Sequence, residues 1–270
     1  MDIRNYLPNP YERPLDIIKP DGGYTAIFRT IACIGDSLAS GEFESLDENN
    51  NRGYHDMYEY SWGQFIARAT GSKVYNFSRG GMNTKQYIES FANENDMWNP
   101  DKAAQAYIIA LGCNDISRAS KQELYADLGT INDVDFENCE NNKPTYAGYY
   151  AKIIQRYKKI QPKARFFLMT FPNEKEPMRA LRAEEQRKLL YQMSEKFEFT
   201  YVIDLLKYGP VYDEEFKNEF YLSGHLNPMG YLFTAQIVMS YIDYIIRHNP
   251  DDFSQIGFIG TPYYNVTRKY

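Results

Sequence analysis

Cysteine is scarce in this chain. Cys33, Cys113 and Cys139 are odd in number and widely separated, which argues against a disulfide framework or a clustered zinc site and predicts reduced thiols. Histidine is equally sparse, so chemistry that needs an imidazole has only His55, His225 and His248 to draw on. No uninterrupted apolar run approaches the ~20 residues that span a bilayer, and we expect no membrane partner. The opening Met1-Asp2-Ile3-Arg4-Asn5-Tyr6-Leu7-Pro8 lacks a basic start followed by an apolar segment. It therefore does not read as a secretory signal, and a cytoplasmic location is the expectation. Basic residues do not gather into a patch, and 30 Lys+Arg against 36 Asp+Glu leave a net charge of −6. Such a surface suits nucleic acid poorly.

What is present is apolar material for a sizeable core: 43% of 270 residues, enough for an α/β domain. Five apolar, β-branched or aromatic runs recur at βα spacing: Thr30 to Ile34, Lys73 to Phe77, Ala106 to Leu111, Arg165 to Thr170 and Phe199 to Ile203. Segments with helical periodicity lie between and after them, at Trp62 to Thr70, Tyr146 to Ile160, Met178 to Lys196 and Met229 to Arg247. Alternation of this kind implies a mostly parallel sheet covered by helices. We expect one domain over 1–270, with its core at about 28–248 and extensions at both ends packed on it. Two polar stretches, Glu42 to Tyr60 and Lys121 to Pro144, read as insertions that either rim a site or are surface loops.

Three of the strands run into small or amide-bearing residues: Gly35-Asp36-Ser37, Asn76-Phe77-Ser78-Arg79-Gly80-Gly81 and Gly112-Cys113-Asn114-Asp115. In a parallel sheet these ends share one edge, where open α/β folds bind ligands. Acyl transfer needs a nucleophile, a base and donors aimed at the developing oxyanion. Ser37 fits the first role; its own N–H, that of Gly81 and the Asn114 amide fit the third. For the base, His225 in Leu222-Ser223-Gly224-His225-Leu226-Asn227-Pro228 precedes the last helix, where it can reach back to the sheet edge. His55 lies in a polar insertion and His248 at a helix C-terminus, where a cation is favourable anyway. Asp36 and Asp115 read as structural acids, and Asn76 as a support for the glycine loop. Tyr58-Glu59-Tyr60-Ser61-Trp62 offers faces that could stack on sugars, although Ser61 also reads as an N-cap and Trp62 as core.

These segments resemble the blocks of the GDSL, or SGNH, hydrolase family. Gly35-Asp36-Ser37-Leu38, Gly81, Gly112-Cys113-Asn114-Asp115 and His225 with Asn227-Pro228 occur in the family's order. The resemblance implies a flavodoxin-like three-layer α/β/α fold with five parallel strands, and serine esterase or lipase activity without metal or cofactor. Gly35 to Ala39 does not form the Gly-x-Ser-x-Gly elbow of the α/β-hydrolases.

One position departs from the pattern. The family places an Asp three residues before the histidine, and here that residue is Leu222. A Ser37–His225 dyad is the expectation, with a carbonyl around Phe220 to Leu222 holding Nδ1, or failing that a carboxylate from Asp213, Glu214, Glu215 or Glu219. The expected activity is hydrolysis of a small acyl ester through an acyl-enzyme on Ser37, such as an O-acetyl group on a carbohydrate or metabolite. The alternatives are a catalytically weak binding protein of the same fold, an acyltransferase, or a longer-chain lipase or thioesterase.

Overall fold

A computed structural model describes residues 8–117, 126–175 and 177–267. The leader reading on Met1 to Leu7 and the first residues of the second insertion, 121–125, lie outside them. Among the described residues nine strands run in chain order: β1 (Thr30–Gly35), β2 (Glu42–Leu46), β3 (Arg52–Asp56), β4 (Lys73–Ser78), β5 (Ala106–Ala110), β6 (Arg165–Met169), β7 (Thr200–Ile203), β8 (Tyr221–Leu222) and β9 (His225–Leu226). Five of them form a parallel sheet in the order β4-β1-β5-β6-β7. Counted among themselves, these strands follow the 2-1-3-4-5 order of flavodoxin-like folds.

Alternation along β1 explains why its sequence is apolar throughout. Ile31 and Cys33 face a core layer that includes Trp62, Ile66, Val238 and Ile242. Ala32 and Ile34 face the opposite layer, with Tyr150, Ile154, Leu190 and Met193. A strand buried on both faces has no polar side to show. The helices Trp62–Thr70 and Pro228–His248 thus cover one face, and Tyr146–Ile160 and Pro177–Lys196 the other.

Capping residues set where these helices begin. Ser61, Thr145 and Asn227 accept from the backbone N–H groups of Gln64, Gly148 and Gly230, and Pro228 occupies the first turn of the last helix, where no N–H is needed. Trp62 is fully buried, in keeping with a core role. By length and composition the last helix could cross a membrane, although no uninterrupted apolar run marks it. Its apolar stretch is 72% buried in the fold, so that apolarity serves the core.

The N-terminal extension packs on this helix: Thr25 Oγ1 donates to the Met239 carbonyl, the Tyr24 N–H to Asp243, and Arg247 pairs with Glu12. At the other end Phe253 stacks on Phe167, and Tyr201 donates to Asp252. The two insertions behave differently. Residues 42–56 form an antiparallel hairpin of β2 and β3, whereas the described part of the second, 126–144, bonds to the helix Tyr146–Ile160 through Asn142 and Gln155.

Candidate active site

Ser37 opens a one-turn helix, Ser37–Ser40, at the carboxyl end of β1. The turn is tight enough that a Cβ on Gly35 would lie 2.5 Å from that of Ala39. Asp36 caps it by accepting from the Leu38 N–H at 3.1 Å. Burial pushes its carboxyl up to about 7, against the pull of the Leu38 N–H and with help from Asp115.

The two loops beside Ser37 are fastened to each other. Asn114, in the helix Cys113–Ser117 that follows β5, donates one amide hydrogen to the Met82 carbonyl at 2.9 Å; a primary amide has a second to offer. Asp115 accepts from both the N–H and the hydroxyl of Thr84, the latter at 2.7 Å, and burial raises its carboxyl to about 6. Just before these anchors Gly81 takes a left-handed φ of 71°, which a side chain would strain. Asn76 acts more locally than expected, accepting from Ser78 N–H at the end of β4. Arg79 is exposed and lies over the Phe91 ring.

His225 sits on β9, paired with Leu222 across a two-residue ladder. Leu222 is 49% exposed and leaves the imidazole to other partners. Nδ1 lies 2.8 Å from Glu44 Oε1, which corrects the expectation of a dyad held by a carbonyl or by an acid on the preceding helix. The Phe220 carbonyl is taken by Asn227 N–H, and Asp213 caps its own helix and pairs with Lys175.

Glu44 is built to remain an anion. Burial acts to raise its carboxyl, yet hydrogen bonds from Ser223, the Gly224 N–H and His225 hold it below the usual range, and Arg52 lies 3.6 Å away. An ionised carboxylate only accepts, so Nδ1 donates to Glu44 and Nε2 is left to other partners. Nε2 faces a second carboxylate, Glu42 Oε1, at 3.2 Å.

Sequence reading missed both glutamates, because nothing local links residues 42–44 to residue 225. The signal that exists is alternation: in β2, Glu42 and Glu44 share one face, while Phe43 packs on Tyr60 and Tyr231. The other histidines are placed as anticipated, His55 against Ser45 on the exposed hairpin and His248 against the Tyr244 carbonyl.

Ser37, Asn114 and His225 line one open cavity of about 330 Å³, whose far wall includes Glu174, Arg179 and Lys217. Arg179 pairs with Glu174. Gly81 is not among the lining residues. Beside the cavity lies a smaller apolar recess of about 30 Å³, which shares Leu38 and Cys113 with it and is walled by Ala110, Leu111, Met169 and Phe171.

The model of the GDSL-like Lipase/Acylhydrolase family matches residues 33–232, from within β1 through the histidine to the start of the last helix. The chain belongs to the GDSL-like lipase/acylhydrolase family. No curated protein sequence matches it. Among solved structures, a family two carbohydrate esterase from Clostridium thermocellum, in complex with cellohexaose, superposes with a TM-score of 0.57 at 14% identity, over 81% of this chain and 64% of that one. The chain therefore spans less than two thirds of that esterase. A Lactobacillus plantarum protein gives 0.57 at 16% identity over 80% and 97% of the two chains, and an acetyl xylan esterase 0.50 at 18% over 79% and 99%. At these identities the likeness is one of fold, and that fold is the α/β architecture expected from the sequence. For this GDSL-like protein the class of chemistry is carboxylic ester hydrolysis.

Proposed function

We propose that the protein is a serine esterase that removes a small acyl group, an O-acetyl group above all, from a carbohydrate or other hydroxylated metabolite. The observation that carries this reading is His225: it shares one cavity with Ser37 while its Nδ1 is anchored on the buried Glu44. Ser37 Oγ attacks the ester carbonyl and passes its proton to Nε2. Glu44 fixes the tautomer and stabilises the imidazolium that forms. The carbonyl π pair moves onto oxygen, where the N–H groups of Ser37 and Gly81 and the free amide hydrogen of Asn114 receive it. His225 then protonates the leaving alcohol, and water, activated by the same nitrogen, hydrolyses the acyl-enzyme.

The acetyl preference rests on the recess. It is small, about 30 Å³, and its walls are mostly apolar, with Asp36, Thr170 and Gln186 the polar exceptions. Turnover of p-nitrophenyl esters from acetate to octanoate tests the assignment. Acetate is the favoured substrate and Ser37→Ala abolishes its hydrolysis; an optimum at octanoate would instead favour a lipase or thioesterase.

A further inference from the structure

Two carboxylates from one strand face the two nitrogens of one imidazole, and the serine hydrolase mechanism accounts for only one of them. Glu42 and Glu44 stand two residues apart on β2, hence on the same face. Glu44 takes Nδ1 at 2.8 Å and Glu42 Oε1 lies 3.2 Å from Nε2. The other Glu42 oxygen rests against the glycine loop, where a Cβ on Gly80 would collide with it. The hydroxyl of Tyr231 clamps the Glu42 backbone by donating to its carbonyl at 2.7 Å.

Because Nδ1 donates to Glu44, Nε2 must either carry a proton or present a lone pair. A lone pair facing an ionised carboxylate at this distance is repulsive, so the pair taken together holds one proton, either on Nε2 or on Glu42. With the proton on Nε2 the ring has no lone pair for the Ser37 proton, and with it on Glu42 the lone pair is turned toward that carboxyl.

We propose that Glu42 is a positioning residue that shares one proton with His225 Nε2 in the free protein, and that this proton must leave before Ser37 can use the imidazole as its base. The inference rests on the assignment of Ser37 and His225 as nucleophile and base. The groups around Glu42 support the sharing. Its carboxyl is raised by burial, with Asp56 opposite it on β3 and Glu44 on its own strand adding to the rise and His225 opposing. Asp36 from the nucleophile turn and Tyr231 from the last helix also feel its charge. Among the described residues no lysine or arginine pairs with Glu42, and Arg52, on the facing strand, is bound to Glu44. An anion in such company keeps a proton readily.

The test compares wild type, Glu42→Ala and Glu42→Gln in two measurements: the pH profile of kcat/KM for p-nitrophenyl acetate, and the pH titration of the His225 ring followed by NMR. With three histidines in the chain, a His225→Gln spectrum assigns the resonance. Removing a carboxylate this close to the ring moves the acid limb and the ring midpoint together to lower pH by about one unit, so activity on the limb rises about tenfold. The amide, which has no charge, moves both in the same direction. If limb and midpoint stay at the wild-type pH in both variants, or if activity falls by one factor at every pH, Glu42 is a structural strut and the inference is overturned. The NMR titration reads the Glu42–His225 coupling even if the protein hydrolyses no ester, whereas an active Ser37→Ala variant refutes the esterase assignment alone.

Discussion

The hydroxyl of Tyr231, on the last helix, donates to the carbonyl of Glu42, at the start of β2. It also lies 3.4 Å from the Ser37 carbonyl, so one side chain fastens the hairpin that carries the histidine's partners to the turn that carries the nucleophile. Tyr231 is fully buried, so losing its hydroxyl takes that donor from the Glu42 carbonyl. Tyr231→Phe is expected to lower stability by about 1 kcal/mol, read as a reduced urea midpoint with an unchanged slope. Stability equal to wild type would mean that the bond is not formed in solution.

Glu44 carries the tautomer argument. In Glu44→Gln the charge that stabilises the imidazolium is gone and an amide N–H can hold the ring in the wrong tautomer. We expect kcat to fall on the order of 10²- to 10⁴-fold, the upper figure being that of the corresponding change in a serine protease triad, with little change in KM. Steady-state kinetics on p-nitrophenyl acetate decide it, and an unaltered kcat would return the histidine to a dyad.

The sheet was legible because its strands are buried on both faces and so read as continuous apolar runs, and because Ser61 marks a helix start by type. Ser37 and Asn114 stood out as candidates because each follows a strand end at the carboxyl edge, and His225 because it is one of three histidines and precedes the last helix. Glu44 did not. Its role depends on a hairpin folding back across 181 residues to His225, and a glutamate in a polar insertion carries no mark of that. The partners expected among residues 213–222 are engaged elsewhere: the Phe220 carbonyl accepts from Asn227 N–H, Asp213 caps its helix and pairs with Lys175, and Leu222 meets His225 as a backbone ladder partner.

Asp36 supplies a pH test independent of catalysis. Burial raises its carboxyl from 3.8 to about 7, so between those pH values the folded chain holds a proton that the unfolded chain releases. Stability therefore falls as pH rises through that window. Asp36→Asn keeps an acceptor for the Leu38 N–H but has no proton to lose. Relative to wild type the variant gains stability between pH 4 and pH 8, by up to a few kcal/mol, since each tenfold change in proton affinity is worth about 1.4 kcal/mol. Urea denaturation of both proteins at the two pH values reads the difference; a gain that is the same at both would show that Asp36 ionises normally in the fold.

The central claim is that Ser37 is the nucleophile of an acyl-enzyme pathway, and covalent trapping tests it most directly. A fluorophosphonate should add one phosphonyl group to the protein, mapped to Ser37 by peptide mass spectrometry, with loss of esterase activity in step with labelling and no adduct on Ser37→Ala. An adduct on another residue, or full hydrolysis of p-nitrophenyl acetate by a protein that takes up no label at Ser37, would contradict it.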